Sequence, residues 1–282
     1  MYRTLITPDQ LVPHLGGAWT IIDCRFDLGA EQAGHQSYRT SHVPGAVYAS
    51  LSPDLSGGMT GTNGRHPIPT PDQMRQAFAR LGISSGRQVV AYDQDAGAYA
   101  ARLWWMLTYM GHDAVAVLDG GWARWTAEGH PVETGDVLPQ PGSFVGEPRT
   151  EMLVGVDEVV PLQTSGCLLV DARAAERFEG RTEPLDRVAG HIPGAVNHPY
   201  RENVTDAGTM RDERAMRRSW EATLAGRVPS QVVMYCGSGV TACHNLLAMA
   251  HAGLPGGRLY AGSWSEWSSD PSRPVETGPA KA

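Results

Sequence analysis

Val232-Val233-Met234-Tyr235-Cys236-Gly237-Ser238-Gly239-Val240-Thr241-Ala242 is an apolar run that ends at a cysteine, followed by small residues and then a helix-like stretch. A short apolar run closed by glycine reads as a buried strand. The order puts the Cys236 thiol at the strand's C-terminal end, where the small residues that follow can turn backbone N–H groups toward it. It also puts the sulfur near a helix N-terminus, where aligned peptide dipoles favour negative charge. Both effects favour the thiolate, the nucleophilic form of cysteine. The chain reads as one built around a reactive sulfur.

Working outward, the elements around this stretch occur twice and in the same order. Apolar residues lead to Asp23-Cys24-Arg25 and again to Asp171-Ala172-Arg173. Ser41-His42-Val43-Pro44-Gly45-Ala46-Val47 matches Gly190-His191-Ile192-Pro193-Gly194-Ala195-Val196. Val89-Val90-Ala91-Tyr92-Asp93 matches Val232-Val233-Met234-Tyr235-Cys236, and Gly120-Gly121-Trp122-Ala123-Arg124-Trp125 matches Gly262-Ser263-Trp264-Ser265-Glu266-Trp267. Four matches in register, each about 140–150 residues apart, mean that one domain has been duplicated. The first copy is expected over residues 1–140 and the second over 152–275. Residues 133–152, where Pro139, Pro141 and Pro148 alternate with Gly135, Gly142 and Gly146, are expected as the linker. The tail after Ser268, rich in Pro, Ser and Gly, is expected to have little order.

Within each copy, strands alternate with helices. Trp19–Asp23 and Cys167–Asp171 read as buried strands. Pro71–Leu81 reads as a helix, with Thr70 as cap, Pro71 in the first position and Gly82 after its end. Met74, Ala77, Phe78 and Leu81 fall on one helical face, and Tyr99, Leu103, Met106 and Met110 do much the same. The fold class is therefore α/β: two tandem domains, each a mainly parallel sheet flanked by helices on both faces. In such sheets ligands bind beyond the carboxyl ends of the strands, where Cys236 sits.

Composition narrows the function. The 282 residues are 41% hydrophobic and 19% charged, as in ordinary globular proteins. A formal net charge of −7 argues against nucleic acid or an anionic membrane surface as the main partner. The N-terminus Met1–Pro8 has no apolar signal core, and no stretch approaches the ~20 apolar residues of a membrane span. Cys24, Cys167, Cys236 and Cys243 do not read as a disulfide framework; reduced thiols in the cytoplasm are expected. The spacing of Cys and His matches no zinc site, so no metal is expected. Cys243 shares a helical face with Leu246, Leu247 and Ala250 and is expected to pack; Cys24 and Cys167, in or beside strands, are expected to be structural.

The repeated Asp-x-Arg strand ends, the His-[Val/Ile]-Pro-Gly-Ala turns, the Gly-Trp and Trp-x-x-Trp segments and the cysteine loop together resemble the rhodanese family of sulfurtransferases, over nearly the whole chain. The resemblance implies two rhodanese-like domains, with the catalytic cysteine only in the second. Asp93 stands at the cysteine position of the first, which is therefore expected to do no thiol chemistry. It also implies a persulfide on Cys236, held by the amides of Gly237, Gly239, Val240 and Thr241, and no cofactor. The sulfur comes from a small-molecule donor and goes to a thiol such as thioredoxin or glutathione, or to cyanide.

The uncharged loop Cys236-Gly237-Ser238-Gly239-Val240-Thr241 is similar to that of members that use 3-mercaptopyruvate, whereas thiosulfate-preferring members carry Arg and Lys just after the cysteine. By the same resemblance Ser238 joins a relay with a histidine, here His66 in Asn63-Gly64-Arg65-His66-Pro67. Histidine suits proton transfer near neutral pH. The relay's aspartate would fall where Ser52 stands, a departure from the family pattern for which Asp54, two residues on, is the candidate substitute. Arg177 and Arg187 match the arginines that hold the donor's carboxylate, a task for which the planar guanidinium fork is suited. The plainer reading of these arginines is surface pairing with Glu179, Glu183 or Asp186. Asp171, Arg173 and His191 are expected to be structural. Thiosulfate is the rival donor. A Cys-dependent phosphatase is disfavoured, since its Cys-x5-Arg pattern would need arginine where Ala242 stands.

Overall fold

The structure, a computed structural model, describes residues 1–94 and 96–280. The chain folds as two units. The first comprises Met1–Gly57, Pro69–Arg149 and Val204–Met210; the second takes Gly58–Ile68, Thr150–Asn203 and the chain from Arg211 on.

In the first unit the strands are β1 (Leu5–Ile6), β2 (Thr20–Asp23), β3 (Val47–Tyr48), β4 (Val89–Tyr92) and β5 (Val115–Leu118). The helices are α1 (Pro8–Leu11), α2 (Ala33–Thr40), α3 (Pro71–Arg80), α4 (Ala100–Tyr109) and α5 (Gly121–Ala127). The second unit has strands β6 (Leu153–Val154), β7 (Leu168–Asp171), β8 (Val196–Asn197), β9 (Val232–Tyr235) and β10 (Arg258–Tyr260). Its helices are α6 (Val156–Thr164), α7 (Ala175–Phe178), α8 (Glu213–Leu224), α9 (Thr241–His251) and α10 (Ser263–Trp267). Among the described residues the sheet orders are β1-β5-β4-β2-β3 and β6-β10-β9-β7-β8, one order used twice, with every pairing parallel. The α/β class and the duplication are thus seen in the strand order itself.

Central strands covered on both faces must be apolar throughout, and all four residues of β4 and of β9 are buried. In the second unit Val159, Leu169, Phe178, Ile192, Val233, Tyr235, Tyr260, Trp264 and Trp267 pack into one core. Helix α3 starts as its sequence dictates. Thr70 Oγ1 accepts from the Gln73 N–H (3.3 Å), and Gln73 Oε1 accepts from the Thr70 N–H (2.9 Å). Gly82 follows with φ +76°.

The strand ends carry paired charges. Arg173 grips Asp171 with Nε and Nη2 (2.7–3.1 Å) and also donates to the Gly190 carbonyl, as Arg25 does to Asp23 and Ser41. His191 Nδ1 lies 2.8 Å from the Phe178 carbonyl oxygen, and its ring stacks on Phe178. Asp171, Arg173 and His191 are buried with fixed partners inside the fold, the arrangement that a structural part requires.

The C-terminal tail departs from the expectation of little order. Trp267 Nε1 donates to the Pro274 carbonyl, Glu276 bridges to His191, and the Gly278 N–H donates to Glu179 O at 2.9 Å. The tail lacks helix and sheet periodicity, but its backbone groups find fixed partners, which composition does not reveal. Residues 134–149 carry no helix or strand, and they bond to the first unit through Gly142, Ser143, Val145 and Arg149.

A buried histidine in the second unit sets an acid limit. His198 is 3% exposed, stacks on Trp220 and lies 2.9 Å from Thr223 Oγ1. Burial pushes its pKa down from 6.5 to about 4. The unfolded chain therefore takes up this proton first as pH falls, so the stabilisation is complete above pH 6.5 and is lost between 6.5 and 4. The loss amounts to about 3 kcal/mol. Urea unfolding at neutral pH and at pH 4.5 should show the drop in the wild type and a smaller one in His198→Gln.

Candidate active site

Cys236 follows β9 directly and is 2% exposed; the loop after it runs into α9. Three backbone-directed bonds fix the loop's path. The Cys236 N–H donates to Ser263 Oγ (3.1 Å), the Trp264 N–H donates to Cys236 O (3.0 Å), and the Ser265 N–H donates to Gly237 O (2.9 Å). Gly239 has φ +74°, and a Cβ there would stand 2.3 Å from Ala261 O, so only glycine fits this turn. Cys243 is buried in α9 with Sγ 3.2 Å from Gly239 O, in the packing role expected of it. Burial pushes the Cys24 thiol up, so it resists ionisation. All four cysteines are free thiols.

The structure brings His66 and Ser238 together. His66 Nδ1 lies 2.9 Å from Ser238 Oγ, and both side chains are buried. His66 reaches this place because Gly58–Ile68 belongs to the second unit. Gly64, at φ +87°, sits so close to Gly262 that a Cβ would be 2.8 Å from its oxygen, and the Arg65 N–H donates to Ser265 Oγ at 3.1 Å. Ser52 and Asp54 lie in the first unit. There Asp54 Oδ2 accepts from the Ser50 N–H, and Oδ1 pairs with Arg80.

Arg177, on α7, holds Glu183 at 2.6 Å and Asp186 at 3.3 Å. Burial opposes ionisation of Glu183, but the hydrogen bonds from Arg177 and from the N–H groups of Leu185 and Asp186 outweigh it and keep the carboxyl below its usual range. The salt-bridge reading of Arg177 is therefore realised, yet the guanidinium also faces the cysteine loop. A Cβ on Gly237 would lie 3.4 and 3.5 Å from its two terminal nitrogens. It would lie only 2.9 Å from Arg65 Nη2. Arg65, which pairs with Asp186, thus also stands at the loop, a place that the sequence pattern alone does not give it. Glycine at 237 leaves room for both cations, so positive charge reaches the loop from outside it. Arg187 is exposed on the rim of a cavity of 360 Å³ that Arg65, Asp186 and Ser265 also line, and no hydrogen bond or ion pair of Arg187 is found among the described residues.

Ser263 is a second residue whose place the sequence pattern alone does not give. At φ +55° it is one of three non-glycine residues with positive φ among those described, and its Oγ accepts from Cys236 while donating to Tyr260 O. Its counterpart in the first copy is Gly121, at φ +52°. Ser263→Gly would relieve strain of about 1–3 kcal/mol and lose a hydrogen bond worth about 1 kcal/mol. Thermal stability should therefore hold or rise while turnover falls severalfold, since Cys236 loses its backbone anchor. Equal turnover would remove Ser263 from the site.

In the first unit, Asp93 stands where Cys236 stands in the second. Its carboxylate accepts from the N–H groups of Gly97 (2.9 Å), Tyr99 (2.6 Å) and Ala100 (2.7 Å), at the start of α4. In this fold, the loop after the second-last strand of the chain order can therefore hold an anion with backbone N–H groups.

Comparison with known proteins agrees with this architecture. The rhodanese-like domain model matches residues 7–128 and 156–270. A probable 3-mercaptopyruvate sulfurtransferase from Pseudomonas aeruginosa is 44% identical over 97% of this chain and 98% of its own length. A thiosulfate sulfurtransferase from Mus musculus is 31% identical over 95% of this chain and 92% of its own. The solved structure of 3-mercaptopyruvate sulfurtransferase from Leishmania major superposes with a TM-score of 0.85 at 33% identity, over 94% of this chain and 74% of that one. Among the described residues no helix is long and apolar enough to cross a membrane, and no group of His, Cys, Asp and Glu could hold a metal. With its doubled sheet order and its two matches to the rhodanese-like domain, the chain belongs to the rhodanese family, as a two-domain sulfurtransferase.

Proposed function

We propose that the second unit catalyses sulfur transfer from 3-mercaptopyruvate, through a persulfide on Cys236, and that the first unit is catalytically inactive because Asp93 replaces the thiol. The observation that carries this reading is the buried pair His66–Ser238, 2.9 Å apart, with Ser238 two residues from Cys236 in sequence. The Cys236 thiolate attacks the donor's sulfur and forms the S–S bond. The donor's C–S bond breaks, and its electrons leave on the pyruvate enolate. The proton of the donor's thiol passes through Ser238 and His66 to the enolate carbon, releasing pyruvate. The amides of Gly237, Gly239, Val240 and Thr241 stabilise the outer sulfur, in the way the matching loop holds Asp93. Arg177 and Arg65 attract the carboxylate; Arg187, on the rim, guides its entry.

A thiol such as thioredoxin or glutathione, or cyanide in an assay, then removes the outer sulfur. The four free thiols fit a reducing compartment, the cytoplasm. Residues 1–140 and 152–275 are the two functional domains in this reading, joined by 133–152.

Thiosulfate is the second reading, favoured by two guanidiniums close to Gly237. Steady-state kinetics with each donor and cyanide separates the two. A kcat/KM higher for 3-mercaptopyruvate is expected, and a clear preference for thiosulfate would reverse the assignment.

A further inference from the structure

The acidic partner that sits between the two guanidiniums is the least explained group near the loop. Asp186 has a side chain only 6% exposed, and its N–H donates to Glu183 Oε1 at 3.1 Å. One oxygen pairs with Arg65 Nη1 and the other lies 3.3 Å from Arg177 Nη2. One carboxylate thus spans the same two cations that crowd the space over Gly237. Glu183 neutralises Arg177 from the other side. Glu183 also pairs with Arg173 (3.2 Å), whose own charge Asp171 matches. The linked charges Arg65, Arg173 and Arg177 against Asp171, Glu183 and Asp186 therefore sum to zero, while Arg187 stands outside them, exposed to solvent that screens it. A neutral cluster gives a doubly charged anion no more Coulombic attraction than a singly charged one, while the dianion surrenders far more hydration on entry.

We propose that Asp186 is a specificity-determining residue: it acts as an internal counter-anion across Arg65 and Arg177 and makes the site select a monoanionic carboxylate over a dianion. The proposal rests on the reading that these two guanidiniums face the donor. The donor's carboxylate takes over part of the hydrogen bonding that Asp186 supplies, one charge for one charge. A dianion of the thiosulfate type leaves an excess negative charge. The loop itself adds no compensating cation, since Gly237 and Ser238 follow the cysteine.

The test uses pyruvate as the monoanion and sulfate as the dianion, titrated calorimetrically into the full chain. Asp186→Asn keeps the shape and removes one negative charge. It should raise the sulfate-to-pyruvate affinity ratio by about tenfold, since one added unit of net charge acts twice on a dianion and once on a monoanion. Arg65→Gln keeps Asp186 and should lower the ratio, which tests the proposal even if Asp186→Asn folds poorly. The donor kcat/KM values should follow, with the thiosulfate-to-mercaptopyruvate ratio rising in Asp186→Asn. An unchanged ratio, or parallel weakening of both anions, would show that Asp186 only positions the arginines and would overturn the proposal. Calorimetry needs no turnover. A wild type that forms no Cys236 persulfide would therefore defeat the sulfurtransfer reading through Cys236 without touching the charge ratio on which Asp186 is judged.

Discussion

Cys236→Ser yields a folded protein that gains no sulfur from either donor and turns over at least about 10⁴-fold more slowly, because the serine hydroxyl is a weak nucleophile at neutral pH and cannot carry a persulfide. The fold should tolerate the change. Cys236 is buried, its backbone bonds to Ser263 and Trp264 do not involve the side chain, and serine is slightly smaller. Intact-mass spectrometry after donor exposure reads the outcome directly: the wild type gains one sulfur atom and the variant none. Because Cys24, Cys167 and Cys243 remain in the variant, a surviving gain would move the chemistry to another thiol. Normal turnover in the variant would end the persulfide mechanism altogether.

His66→Gln should separate the donors. Glutamine can still hydrogen-bond Ser238 Oγ, now 2.9 Å from His66 Nδ1, but it cannot accept and return a proton. Cleavage of 3-mercaptopyruvate moves a proton from sulfur to carbon, so its kcat should fall by about 10²–10⁴-fold. Thiosulfate brings no proton, and sulfite leaves as a stable anion. With that donor the variant should keep most of its rate. Equal losses on both donors would mean that His66 only shapes the loop.

The parts of this molecule that were legible in sequence are those governed by local pattern. Strand ends at Asp23 and Asp171, the capped start of α3 at Thr70 and the cysteine loop all announce themselves through neighbouring residues. Duplication amplified these signals, since each weak match was tested by its place beside the others. Arg65 gives no such signal, for the opposite reason. Its importance comes from Gly58–Ile68 joining the second unit, which nothing local encodes. Ser263 gives no local signal because its place depends on a backbone angle, φ +55°, which a Gly-to-Ser difference between the copies does not encode. The composition of the tail after Ser268 does not disclose its order, because that order comes from individual hydrogen bonds to Glu179 and His191 rather than from a repeating ladder.

Asp93 carries a consequence for the working half. Its carboxylate oxygens stand two bonds beyond Cβ, the same reach as the outer sulfur of a cysteine persulfide. In the first copy that carboxylate ties down the approach to α4 through the N–H groups of Gly97 and Tyr99 and the helix's first residue through that of Ala100. If the loop before α9 treats its cargo alike, then the carried sulfur is also a helix cap, and loading should slow amide exchange in the first turn of α9. Handing the sulfur to an acceptor would then uncap that helix. The cost would be felt in the release step, where a tightly held cargo makes a reluctant donor.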